Sequence, residues 1–169
     1  MTYTFGVNPA VTPPANDGGG DIGILITSGT LGSPGGNTLS VSGIVLSISI
    51  YVASGAAGNI LLGIYDNTGA AGQAGTLLAS CPSTAITNGW NTIPVSAQAT
   101  LPIGTYWFAF TPSSTAPVFG TETAAGFTQF KSGLTYTMPG TAPTFTSNTT
   151  QSFGMYATLS EIFLGQEFM

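Results

Sequence analysis

The chain has 169 residues, 43% of them apolar and 4% charged: Asp17, Asp21, Asp66, Glu122, Glu161 and Glu167 stand against the one base Lys131, for a net charge of −5 with no histidine. A single cation gives no electrostatic footprint for phosphates, so nucleic-acid binding is set aside, and without histidine neither a Ser-His-Asp nor a Cys-His arrangement can form. The apolar content suffices for one packed domain, while 24 Gly, 11 Pro and the scarcity of Glu, Lys and Arg for i,i+4 pairing argue against helices and for β-structure.

Residues 1–20 contain Pro9, Pro13, Pro14 and the run Gly18–Gly20, which neither a helix nor a central strand accommodates, so this segment reads as an extended arm and the domain is expected over 21–169. Met1 to Phe5 lack the basic and apolar regions of a secretory signal, and the expectation is a chain without one. Gly18 to Gly23 satisfies G-x-G-x-x-G but follows prolines and precedes a strand-like run, the reverse of a dinucleotide site, and reads as a hinge. Asp17 and Asp21 lack the D-x-D-x-D-G spacing of a calcium loop and read as turn residues.

From Ile44 to Val52 the even positions Ile44, Leu46, Ile48, Ile50 and Val52 are apolar, with Ser47 and Ser49 between them; a period of two predicts a strand with those five on one face. Gly43 to Tyr65 is 23 residues without a charge, a bilayer-spanning length, but its middle is the turn-like Ala53 to Asn59, so two strands and a connection are predicted and no membrane insertion. The pattern continues with Ile60, Leu62 and Ile64, then Tyr106, Phe108 and Phe110, then Phe153, Met155, Ala157 and Leu159. Weaker strands are predicted at Ile22–Thr27, Thr76–Ser80, Trp90–Val95, Gly126–Lys131 and Leu134–Thr137, and Ser160–Met169 fits a last strand or a helical turn. Many short strands with Gly, Pro, Asn and Ser between them predict an all-β, antiparallel two-sheet β-sandwich.

Cys81 is the only cysteine, which excludes an intrachain disulfide and a thiolate cluster and suggests a small buried filler. Gly126 to Ser132 ends in Lys131-Ser132 like a phosphate loop, but Phe130 stands where the second glycine belongs. Asn148-Thr149-Thr150 is a glycosylation acceptor only in a secretory route. Active sites are richer in titratable groups than this chain permits, so no catalytic residue, metal or cofactor is expected. Trp90, Tyr106, Trp107 and Tyr136 are rings that can stack on a sugar. Trp107 alternates out of phase with Tyr106, Phe108 and Phe110, so the two sets face opposite ways and one of them is core. Trp90, Tyr106 and Trp107 are therefore the candidate glycan contacts. Sheet edges here have almost no charge to protect them and need covering; Pro13 and Pro14 of the arm and Phe163, Leu164 and Phe168 of the apolar tail are the candidate assembly contacts.

Gly63-Ile64-Tyr65-Asp66-Asn67-Thr68-Gly69 running on to Gly75-Thr76-Leu77-Leu78-Ala79, followed by Gly89-Trp90-Asn91-Thr92-Ile93-Pro94-Val95 and Leu101 to Ala109, resembles a jelly-roll module found in carbohydrate-binding-like domains of bacteriophage structural proteins and bacterial surface proteins. The likeness covers about a third of the chain, and the loop Gly72-Gln73-Ala74-Gly75 lacks the proline that many such modules carry before the second glycine. The resemblance implies a jelly-roll sandwich that is either a virion structural protein, a capsid decoration or fibre component, or a non-catalytic carbohydrate-binding module. The unprotected edges favour the first, made in a host cytoplasm and acting through assembly as a homo-oligomer such as a trimer and with other virion proteins; the carbohydrate-binding module is the alternative.

Overall fold

The computed structural model describes residues 1–6, 15–16, 23–28, 37–70, 73–122, 127–132, 136–145, 147–149 and 152–162. The strands in chain order are β1 (Thr2–Gly6), β2 (Ala15–Asn16), β3 (Gly23–Ser28), β4 (Asn37–Leu39), β5 (Gly43–Ser54), β6 (Asn59–Asp66), β7 (Leu77–Ser80) and β8 (Thr84–Ala85). They continue as β9 (Gly89–Pro94), β10 (Thr100–Leu101), β11 (Gly104–Pro112), β12 (Val118–Glu122), β13 (Phe127–Ser132), β14 (Ser147–Thr149), β15 (Ser152–Phe153) and β16 (Met155–Glu161).

All named pairings are antiparallel, and the strands form two sheets, as the alternation and turn signals predict. The first runs β1–β16–β5–β12–β15, with β9 and β10 along β5 and β2 along β12; the second runs β14–β13–β3–β11–β6–β7, with β4 along β11 and β8 along β6. Between them lies the main core: Val45, Ile48, Ile50, Val52, Ile93, Met155, Ala157 and Leu159 from the first sheet meet Ile60, Leu62, Ile64, Tyr106, Phe108 and Phe110 from the second. Two such layers with interdigitating inner faces make a β-sandwich. The uncharged stretch from Gly43 to Tyr65 is β5, a turn and β6, one strand in each sheet. No helix among the described residues is long and apolar enough to cross a membrane.

The expected single face of β5 is corrected. Val45 is fully buried, whereas Ile44 and Leu46 are half-exposed and lie out of phase with Ile48, Ile50 and Val52. The cause is a register shift against β16: Thr158 pairs with Ser47 and Leu159 with Val45, so Leu46 is an extra residue, a β-bulge that switches the alternation. Within the segment read as an extended arm, the first residues form a strand. Thr2–Gly6 pairs along β16 from Thr2↔Ser160 to Gly6↔Tyr156, and Phe5 packs in the core 5.0 Å from the ring of Phe108. Thr-Tyr-Thr-Phe alternates like any strand; the prolines that suggested an arm, Pro9, Pro13 and Pro14, lie outside the described residues. Tyr136 and Thr137, predicted to end a strand, are irregular, while Ser160 and Glu161 complete β16.

Candidate binding face

A two-sheet sandwich has two outer faces, and both carry aromatic residues. On the second sheet Tyr65 of β6 pairs with Trp107 of β11, and together with Ala74 and Ala109 they form a second buried cluster. The segment 136–145 roofs it: Met138, Ala142 and Phe145 pack against the cluster, the Tyr65 hydroxyl donates to the Pro139 carbonyl at 2.6 Å, and Leu77 N–H bonds Gly140 O at 2.9 Å. Gly63 lets this roof descend, since a Cβ there would come within 2.9 Å of Leu77 Cδ1 and 3.2 Å of Met138. Desolvation raises the Tyr65 phenol well above its ordinary range.

Burial removes two of the three candidate glycan contacts. Trp107 is 1% exposed, with its indole N–H donating to Asn67 Oδ1 at 2.8 Å; Tyr106 is 5% exposed, faces the main core and donates its hydroxyl to Pro102 O at 2.7 Å. Neither ring offers a face to a ligand. Both phases of β11 are thus core, one in each cluster, because the sheet is covered on both sides. Tyr136, half-buried, shares a 2.9 Å hydrogen bond with Ser83 Oγ.

The outer face of the first sheet is different. Tyr51 of β5, Trp90 of β9 and Tyr156 of β16 meet there, each half-buried, with the Trp90 ring 5.3 Å from Tyr51 and 5.0 Å from Tyr156, edge-on to both at 68° and 63°. Register makes the group: Tyr51 pairs with Trp90, and Ser49 pairs with Thr92 on one side and Tyr156 on the other. Hydroxyls lie beside the rings, with Ser49 Oγ 2.8 Å from Thr92 Oγ1 and Thr92 Oγ1 3.5 Å from the Tyr156 hydroxyl. Trp90 is set in place from behind by Asn91, which accepts from Thr87 N–H at 2.9 Å and donates to Thr87 O and Gly89 O at 2.7 and 3.0 Å. Gly89, at φ +99°, makes the turn into the strand. The sequence signalled Trp90 but not its tyrosines, which come from strands far away along the chain.

The loop of the Tyr-Asp motif is a structural device. One Asp66 carboxylate oxygen accepts from Thr68 N–H at 3.1 Å, Thr68 Oγ1 at 2.6 Å and Thr76 N–H at 2.8 Å, and Gly75 N–H closes on Asp66 O. Burial by itself would raise this carboxyl, but the bonds from Thr68 and Thr76 outweigh it and hold Asp66 below its ordinary value. A groove of about 340 Å³ runs between this loop and Thr141–Thr144, lined by Gln73, Pro143 and threonine, alanine and glycine residues, with neither an aromatic ring nor a charge among them. Cys81 is buried, as expected, its thiol bonded to Ile93 O at 3.2 Å and pushed up to about 12 by desolvation. Among the described residues no three of His, Cys, Asp or Glu gather to hold a metal. Pro13, Pro14, Phe163, Leu164 and Phe168 lie outside the described residues, as do Asp17, Asp21 and most of the Gly18 to Gly23 motif.

No family model matches the chain, and no curated protein or solved structure matches it.

Proposed function

We propose that the protein is a bacteriophage virion component, a decoration or fibre module that works through surface binding and assembly and catalyses nothing, with a glycan as the ligand of its outer face. One observation carries the binding: of the two aromatic groupings outside the main core among the described residues, Tyr65–Trp107 is roofed and Tyr51–Trp90–Tyr156 is left partly open, with hydroxyls beside it. Tyr and Trp in such a place present apolar area together with hydrogen-bonding tips, the combination that grips the C–H face and hydroxyls of a sugar. The virion setting is supported by the resemblance of Gly63–Ala79 and Gly89–Ala109 to modules of phage structural proteins.

Assembly is supported by the edge of the first sheet. β1 ends the strand order and reads Thr-Tyr-Thr-Phe-Gly, without the lysine, charge or proline that usually guards an edge. A homo-oligomer such as a trimer, or neighbouring virion proteins, would cover it. Light scattering after size exclusion, repeated across concentrations, tests this half: a stable trimer supports it, and a monomer at every concentration overturns it. The aromatic face would then favour a second reading, a stand-alone carbohydrate-binding module.

A further inference from the structure

We infer that the aromatic face takes an electrically neutral oligosaccharide and discriminates against uronate-, sulfate- or phosphate-bearing glycans; the inference rests on the glycan-binding reading above. The outward positions around Trp90 are Tyr51 on β5, Thr92 and Pro94 on β9, Tyr156 and Thr158 on β16, and Thr4 on β1, with Ser47 and Ser49 of β5 buried beneath them. None is Asp, Glu, Lys or Arg. The carboxylate of that strand, Glu161, is five residues beyond Tyr156, roughly 16 Å at about 3.3 Å per residue, which exceeds the screening length of about 8 Å at physiological salt. The one basic side chain of the chain, Lys131, belongs to β13 in the other sheet.

An anionic glycan needs guanidinium or ammonium partners to repay its desolvation, and among the described residues this face has none, while a net charge of −5 repels it at long range. A neutral sugar needs what is present. Trp90, held edge-on by two tyrosines, presents a ring in a fixed orientation, so little side-chain entropy is lost when a pyranose stacks on it. Thr92 and Tyr156 present hydroxyls that donate and accept alike, and so match sugar hydroxyls.

The test titrates the intact protein with cellohexaose, laminarihexaose, chitohexaose and a galacturonic acid hexamer, at low and high salt, following tryptophan emission and heat. The expected result is saturable binding of at least one neutral hexamer with an affinity that changes less than about twofold with salt, and no galacturonate binding. Trp90→Ala should weaken it about tenfold, the scale of one stacking ring. Trp90→Phe retains a ring between Tyr51 and Tyr156 and guards against misfolding, and should weaken binding less. Thr158→Lys, which places a cation on the face, should create salt-sensitive galacturonate binding. Tighter galacturonate than neutral binding in the unaltered protein overturns the inference and leaves the glycan reading standing. Binding of no hexamer, or a change in oligomeric mass on Trp90→Ala without sugar binding, overturns the glycan reading and the inference with it.

Discussion

Asn91 is the residue on which the orientation of Trp90 depends. Its side chain satisfies one amide and two carbonyls of the turn at Thr87–Gly89, so Asn91→Ala strands three backbone groups and should cost about 1–3 kcal/mol, read from the urea midpoint. Gly89→Ala meets no neighbour but must keep φ +99°, and should cost about 1–2 kcal/mol from backbone strain alone. Thr111 and Thr121 pull the other way: each buries a hydroxyl that has no hydrogen-bond partner among the described residues. Thr111→Val replaces that hydroxyl with a methyl of the same shape and should stabilise the fold by about 1 kcal/mol. Asp66 sets a pH dependence. Its folded pKa lies below the ordinary 3.8, so its stabilisation is complete above that value and is lost as pH falls through the lower folded value. Urea midpoints measured from pH 7 downward should fall below about pH 4, and Asp66→Asn should be weaker at pH 7 and flatter in acid.

At the scale of elements, the bulge in β5 makes a sharp contrast between neighbours. Val45→Thr puts a hydroxyl into the core and should cost about 1–3 kcal/mol, whereas Leu46→Thr should cost about 1 kcal/mol or less; strict alternation would reverse the order. Ile44, Val45 and Leu46 are consecutive apolar residues, so the sequence leaves the phase ambiguous there, and only Ser47 and Ser49 fix it afterwards. The bulge itself depends on how many residues β16 offers opposite, which no local pattern contains. The remaining strands were legible where alternation was clean: Ile60, Leu62 and Ile64, and Phe153, Met155, Ala157 and Leu159, all face the core. Trp90 was legible as a candidate, while Tyr106 and Trp107 misled for one reason. A period of two says that adjacent residues face opposite ways, but whether the second face is covered is decided by 136–145, a segment contacting it from elsewhere in the chain. Tyr51 and Tyr156 join Trp90 only through register across β5, β9 and β16.

For the molecule as a whole, the two tryptophans occupy opposite situations and report separately. The Trp107→Phe variant should retain emission from half-buried Trp90, quenched by acrylamide, and the Trp90→Phe variant should retain a blue-shifted emission that acrylamide reaches poorly. Pairings such as Thr2↔Ser160 join the two ends of the described chain, so the topology is rich in distant contacts, and refolding is expected on the millisecond-to-second scale by stopped flow. The same pairing has a mechanical side. Met1 and Glu161 sit together, with Glu161 N–H bonded to Met1 O at 3.0 Å and the terminal amine 3.8 Å from the Glu161 carboxylate. Tension applied across these two points loads the β1–β16 ladder one rung after another, like a zipper, instead of all rungs in parallel. The sandwich therefore yields more easily to a pull between Met1 and Glu161 than to one that shears the β1–β16 ladder along its length.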